Sequence, residues 1–274
     1  MRKVTSAEVA RRAGVSQSAV SRVFTPGASA SARTAERVRR AAAELGYRPN
    51  VLARAMDGII AASISMSSDL AQRCSDIGVP LVFFNRTQGD ARFPAVTSDN
   101  FAGGRAVADF LVAGGHRRIG YLAGWEGAST QRDREAGFRA GLSAAGLALT
   151  SRGVGNFQKE TAEAATRQMC AAEPLDALFV GNDYMAFSAM DVLRAELGLR
   201  VPEDISVVGF DDVPPAAWAA YDLTTVRQRA NAMVDATVEL LMDQIADPKA
   251  APKVVEINAP LVVRGSARRP EGWQ

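Results

Sequence analysis

Apolar residues in the first 46 positions recur at helical spacing, broken by turn residues. Val9, Ala10 and Ala13 precede Gly14, and Val15, Val20 and Val23 follow it. The spacing predicts two short helices joined by a tight turn and packed at a steep angle, a helix-turn-helix. Thr5 and Glu8 have the spacing of a capping box, Gly14 suits a sharp turn, and Ser16 can cap the second helix before polar Gln17 and Ser18. A third helix is expected over 32–45. Ala35, Val38, Ala42 and Leu45 fall on one face, Gly46 ends it, and Pro49 prevents its continuation. Asn50 can cap a further segment reaching Met56, too short to be helical alone in water.

Beyond residue 57 the pattern changes. Short apolar runs at 58–62, 80–84, 95–97, 118–123, 177–180, 205–210, 254–257 and 261–263 alternate with helical patterns. Those patterns lie near 68–77, 100–114, 130–146, 160–172, 184–197 and 230–246. Such alternation predicts parallel, doubly wound sheets, which bind ligands beyond the carboxyl ends of their strands. No apolar run approaches the roughly 20 residues that span a bilayer. The first residues lead straight into a helix, so no targeting segment and a cytoplasmic location are expected.

Charge divides the chain the same way. Residues 1–56 carry 11 Lys/Arg against 3 Asp/Glu, and the remainder carries 21 against 27. A basic head on an acidic body implies that the head alone meets a polyanion. Cys74 and Cys170 have no paired spacing, which points to two reduced thiols rather than a disulfide or a metal site.

Several predicted strands end in polar residues: Asn85 after 83–84, Asn182 and Asp183 after 179–181, Asp211 and Asp212 after 208–210. Near them fall Arg134, inside the helix-opening segment 129–138, and Phe157. Amide, carboxylate, guanidinium and an aromatic face together suit a hydroxyl-rich ligand, although strand-end turns and helix caps use the same residue types. The Asp211–Asp212 pair has no His/Cys cluster beside it. The segment 120–127 lacks the Lys-Ser/Thr of a phosphate-binding loop. His116, the only histidine, has no Ser or Cys nucleophile motif to serve. No enzyme activity, metal or cofactor is expected.

Residues 1–56 resemble the DNA-binding head of the LacI/GalR family of bacterial transcription regulators. The resemblance implies that Gln17, Ser18 and Arg22 face bases, where Gln can pair with adenine and Arg with guanine. It implies phosphate contacts for Thr5, Ser16, Ser21 and Arg33, and makes 48–56, with Asn50, a hinge helix that folds on DNA. Met56 stands where the family places a leucine that wedges into a minor-groove step, a role open to methionine. The downstream blocks resemble the family's sugar-binding core, of the periplasmic-binding-protein type. By that resemblance Asn85, Arg134, Phe157, Asn182, Asp211 and Gln228 stand at effector positions, with Asn85 where the family often has aspartate. The fold class implied is an all-α helix-turn-helix head plus an α/β core of two doubly wound subdomains.

Against the family pattern a segment is missing. Met56 is followed at once by what resembles the family's third strand, so the chain is short by roughly 60 residues, about two strand–helix units. The expected division is 1–47 head, 48–56 hinge, 57–117 with 227–251 a truncated first subdomain, and 118–226 with 252–274 a complete second one. The truncated subdomain would keep three strands, and its first would become an unpaired edge. In the family the lost part carries much of the dimer interface and part of the effector pocket.

The reading is a repressor-type regulator that binds double-stranded operator DNA as a homodimer, controlled by a small sugar-like effector, with no membrane partner. Its rivals are a receptor-like sugar-binding protein whose head is incidental, and a regulator disabled by the deletion. The basic head argues against the first rival.

Overall fold

The computed structural model describes residues 4–24, 30–47, 57–63, 65, 69–88 and 93–273. The expected hinge at 48–56, including Asn50 and Met56, lies outside them. The chain forms two compact units, 1–57 and 58–274.

Among the described residues, the first unit holds three helices: α1 (Ser6–Ala13), α2 (Gln17–Val23) and α3 (Ala32–Leu45). The capping box forms: Thr5 Oγ1 accepts from the Glu8 amide at 3.3 Å, and the Thr5 amide donates to Glu8 Oε2 at 2.8 Å. Gly14 closes α1 at φ 62°, a left-handed conformation that costs glycine little. Val9, Ala10, Ala13, Val20, Val38, Ala41 and Ala42 bury together as one small core. Arg37, from α3, donates to the Ala13 carbonyl at 3.1 Å and to the Gly14 carbonyl at 2.8 Å. It thereby satisfies acceptors left open where α1 ends.

Among the described residues, the second unit contains two sheets. The first is parallel, in the order β1 (Ile59–Ala62), β2 (Leu81–Phe84), β3 (Ala95–Ser98), β9 (Val254–Ile257). Alternation along β2 sends Leu81 and Phe83 to one face, against Ala71 and Cys74 of α4 (Leu70–Ile77). Val82 goes to the other face, against Met233 and Leu240 of α9 (Ala230–Ala246). The second sheet runs β10 (Leu261–Val262), β8 (Thr224–Arg227), β7 (Ser206–Asp211), β6 (Ala177–Val180), β4 (Ile119–Ala123), β5 (Ser151–Val154), with β10 antiparallel. One face packs on α5 (Asn100–Ala113) and α6 (Ser129–Ala144). The other packs on α7 (Lys159–Ala172) and α8 (Asp183–Asp191), which continues as a π-helical turn, Val192–Glu196.

Three expectations are corrected. The first sheet has four strands rather than three, because Val254–Ile257 pairs in parallel with Ala95–Ser98, so 252–274 does not belong wholly to the second subdomain. The helix over 100–113 was expected in the first subdomain, yet its Val107, Ala108, Phe110 and Leu111 bury against the second sheet. An apolar helix face says that it packs, not on which sheet. Strands β5 and β8 were not anticipated. They read Ser-Arg-Gly-Val and Thr-Thr-Val-Arg, without the apolar runs that marked the others. Thr224 and Thr225 are nonetheless fully buried, because each hydroxyl finds an acceptor: the Arg264 carbonyl at 3.0 Å and Asp183 at 2.6 Å. The expected edge is present: β1 pairs with β2 alone among the described residues.

Helices α5 and α6 meet backbone to backbone. A Cβ built on Gly137 would lie 1.9 Å from the Phe101 carbonyl oxygen, and one on Gly104 would lie 2.1 Å from that of Arg134. Neither obstacle is a side chain that could turn away. Gly137→Ala should therefore destabilise the body by about 1–3 kcal/mol; an unchanged thermal midpoint would refute the close approach.

Candidate functional site

In the first unit, α2 turns Val20 inward and leaves Gln17, Ser18 and Arg22 exposed on its outer side, with Ser21 half-buried. Gln17 with Ser21, and Ser18 with Arg22, are spaced i, i+4 and so share one face. Ser16 caps the helix, its Oγ accepting from the Ala19 amide at 3.2 Å and lying 2.9 Å from Ser18 Oγ. Gln17 Nε2 donates to Ser6 Oγ at 2.9 Å, which ties α2 to the first turn of α1. Thr5 is the cap of α1, and Arg33 is exposed in the first turn of α3. A polar and cationic face on a short capped helix can enter a major groove while the flanking hydroxyls and arginines meet phosphates. Arg37 was missed in the sequence. As one of several arginines in α3, it carries no signal that it locks the turn.

In the second unit, the polar strand ends converge on Arg134, a residue 3% exposed. Its Nε donates to Asn100 Oδ1 at 2.9 Å, one terminal nitrogen to the Gly181 carbonyl at 2.6 Å, and the other to Asp211 Oδ1 at 3.1 Å. Its guanidinium carbon lies 3.7 Å from the centre of the Phe210 ring. The Gln228 amide donates to the same Asp211 oxygen, and Gln228 Oε1 accepts from Ser98 Oγ at 3.2 Å. Arg134, Asp211 and Gln228 thus form one bonded group at the carboxyl ends of β7, β8 and β3.

The other expected residues make no direct bond to this group among the described contacts. Asn182 sits beside Gly181, and its side chain caps α8 by accepting from the Met185 amide at 3.0 Å. Phe157 lies over Gly124, where a built Cβ would fall 2.1 Å from the ring, so the aromatic reaches this place only because residue 124 is glycine. Asn85 connects through a relay. Its carbonyl accepts from Thr97 Oγ1 at 3.5 Å, Thr97 accepts from Asn100 at 3.0 Å, and Asn100 accepts from Arg134. The Asn85 Oδ1 is buried with no hydrogen-bond partner. A buried acceptor without a donor costs about 1–3 kcal/mol, a cost that a bound hydroxyl would relieve.

Several participants were not foreseen. Asn100 and Ser98 belong to the group just described, and the polar run 97–100 at the end of β3 was their available signal. Between the segments that follow β2 and β4, the Thr87 amide donates to Ser129 Oγ at 2.8 Å, and Arg86 lies 5.6 Å from the Trp125 ring centre. Asp183, fully buried at the start of α8, accepts from the Val213 amide at 2.9 Å and from Thr225 Oγ1 at 2.6 Å. It thereby anchors the turn through Asp211 and Asp212, both of which have positive φ. Gly209 leaves room for it: a Cβ there would lie 2.3 Å from Asp183 Oδ1. Asp212 pairs with Arg227 and, at 2.6 Å, with Arg264, so the Asp211–Asp212 pair divides between two arginine partnerships. His116 is buried before β4, at the opposite end of the sheet, 2.9 Å from an Arg268 nitrogen.

Residues 5–50 match the model of bacterial regulatory proteins of the lacI family, and 108–267 that of the periplasmic binding protein-like domain. The transcriptional regulator CelR of Thermobifida fusca is 30% identical, covering 97% of this chain and 98% of its own. The repressor PurR of Escherichia fergusonii is 32% identical over 69% of this chain, which spans 56% of PurR. Among solved structures, a CelR–cellobiose complex matches with TM-score 0.75 and 30% identity, over 96% of this chain and all of that one. The Lac repressor bound to ONPG matches with TM-score 0.65 and 25% identity, over 97% and 100%. The CelR match runs over 336 residues against the 274 of this chain, so at least 62 positions of that relative have no counterpart here.

Burial pushes the Asp183 carboxyl up from 3.8 to about 7; neighbouring Asp211 and Asp212 add to the rise, and its Thr225 and Val213 donors oppose it. Unfolding restores the ordinary value. This residue's contribution to stability is therefore present at low pH and is lost as pH rises from about 4 to about 7. In Asp183→Asn that loss is absent. The thermal midpoint of the variant, relative to the parent, should shift in the variant's favour between pH 5 and pH 8. A pH-independent difference would contradict a buried, titrating Asp183.

Proposed function

Because the chain belongs to the lacI family of bacterial regulatory proteins, whose members are transcriptional regulators rather than enzymes, we propose that its head reads an operator and its body senses a small sugar-like effector. The observation that carries the first half is the capped α2 with Gln17, Ser18 and Arg22 exposed on its outer side. In this reading Thr5, Ser16, Ser21 and Arg33 contact phosphates, and 48–56, with Asn50 and Met56, forms the hinge. Two heads in a homodimer read a pseudo-palindrome, since one head spans only a half-site. DNA as target puts the protein in the cytoplasm. No helix among the described residues is long and apolar enough to cross a membrane.

The effector half rests on the Arg134–Asp211–Gln228 group and on the unpartnered Asn85 oxygen at the end of β2. Acceptors fixed by a buried guanidinium suit a neutral polyol that offers hydroxyl donors, and in this reading Phe157 meets its apolar ring face. The CelR relative's complex with cellobiose makes that disaccharide the first compound to try. An effector acts by binding one body state more tightly than the other. The absent positions, at least 62 against CelR, favour one alternative, a protein that binds DNA but has lost effector control.

Operator affinity of the whole chain should fall steeply as salt rises, because phosphate contacts release counterions. Arg22→Ala should cost about 1–3 kcal/mol at one base position. Equal loss on every DNA sequence would remove Arg22 from base reading, and an affinity independent of salt would sink the DNA-binding head. With cellobiose and a panel of mono- and disaccharides, the parent should show an effector-dependent change in operator affinity that Asp211→Ala abolishes. A change that survives in Asp211→Ala excludes Asp211 from the site. Operator binding that no sugar alters selects the disabled-regulator alternative.

A further inference from the structure

Among the described residues, the first sheet ends on a strand with a neighbour on one side only. The far side of β1 has no strand partner among the described residues. Edge strands of soluble proteins carry charges, prolines or bulges that discourage pairing with other chains. The opposite edge of this sheet follows that rule: Pro252 and Lys253 precede β9, and Glu256 lies in it. The segment 58–62 reads Gly-Ile-Ile-Ala-Ala and has none of these.

The helix above that edge exposes apolar side chains on the same side. In α9, Val234, Val238, Leu241 and Ile245 recur at i, i+4, i+7 and i+11, forming one flank beside the buried Met233–Thr237–Leu240 stripe. A Cβ built on Gly58 would lie 2.8 Å from Leu241 and 3.3 Å from Ile245, which puts the flank on β1's side. Ile60 shares that face of the strand with Gly58. Ile60 is 45% exposed, Val234 48%, Val238 49% and Met242 59%. Edge and flank form one open apolar surface, in a chain that lacks at least 62 positions of its CelR relative.

We propose that this surface is a homodimer interface, in which β1 pairs antiparallel with β1 of a second copy across a two-fold axis and the two α9 flanks meet over the seam. Water can satisfy the backbone edge, but only another strand pairs with it while also covering the apolar side chains beside it. A two-fold axis perpendicular to the sheet makes the same patch complementary to itself, keeps both α9 helices on one face, and closes the assembly at two copies. Asp57, which borders the strand, is carried to opposite ends of the shared ladder, so no like charges face each other. Pairing with β9 would set the apolar edge against Lys253 and Glu256, and would extend from copy to copy without closing. The proposal names the interface of the dimer in the preceding reading, and rests on that reading only for the use of the dimer on DNA.

Sedimentation equilibrium of the full chain without DNA, over a micromolar concentration series, tests it. The parent should be a dimer. Ile60→Lys and Val238→Glu should each weaken dimerisation at least tenfold with unchanged circular dichroism, and Ile60→Val should preserve it. Trp218→Glu alters an exposed aromatic far along the sequence, 59% exposed, and should leave the dimer intact. Hydrogen exchange on the unmodified protein gives a second readout that needs no variant: the Ile60 and Ala62 amides should gain protection as concentration rises. A parent that stays monomeric, a dimer that survives both Ile60→Lys and Val238→Glu, a dimer dissolved by Trp218→Glu, species larger than dimers, or β1 amides blind to concentration would each overturn the interface. Gel shift with operator DNA separates the two readings. A dimer without operator affinity refutes the regulator and leaves the interface standing, whereas a monomer binding half-sites does the reverse.

Discussion

A buried guanidinium organises the body of this protein. Taking a cation out of water costs several kcal/mol unless its donors are met. Each nitrogen of the Arg134 guanidinium finds one acceptor, at Asn100, the Gly181 carbonyl and Asp211, and its face lies on the Phe210 ring. Those partners come from α5, from the loop after β6, and from β7. The cation therefore fixes three elements relative to one another. It can be reached because α5 and α6 touch through Gly104 and Gly137, bringing Asn100 of one helix within a hydrogen bond of Arg134 on the other.

The same arrangement connects stability to ligand sensing. Asp211 is held by Arg134 and Gln228, while Asp183 anchors the turn beyond it from inside the core. The turn carries two residues at positive φ, a conformation costly for aspartate that persists only where its surroundings impose it. A ligand docking on Asp211 would meet an acceptor already oriented, with little ordering left to do. The head works on the opposite principle in its chemistry. The side chains proposed to face bases are exposed, and rigidity is supplied beside them by the capping box, by Gly14 and by the clamp of Arg37 on the turn.

Truncation separates these two halves in consequence. The second sheet, with six strands and helices on both faces, has its core intact. The first retains four strands and one bare edge. DNA reading depends on the head, which has its own core. The proposed control by an effector needs two states of the body, and the reduced sheet is part of that body. Regulation is therefore the property most exposed to the loss, and pairing of two copies along the bare edge is the simplest way for the remaining sheet to recover a neighbour.

The sequence alone determined whatever depends on local chemistry. The caps at Thr5 and Ser16, the turn at Gly14 and the faces of α1–α3 follow from residues within a few positions of each other. The apolar runs likewise located most strands of both sheets, since burial on two faces writes itself as consecutive apolar residues. The sequence also supplied Arg134, Asp211 and Gln228 as candidates, through strand-end position and family pattern. Tertiary structure decided what depends on partners far along the chain. It assigned α5 to the second sheet and β9 to the first, because an apolar face does not name its partner. It revealed β8, because Thr224 and Thr225 look like surface residues until distant acceptors bury them. It gave Asn100, Asp183 and Arg37 their roles, since a polar side chain shows its function only when the groups it satisfies, 24 to 42 residues away, are brought to it.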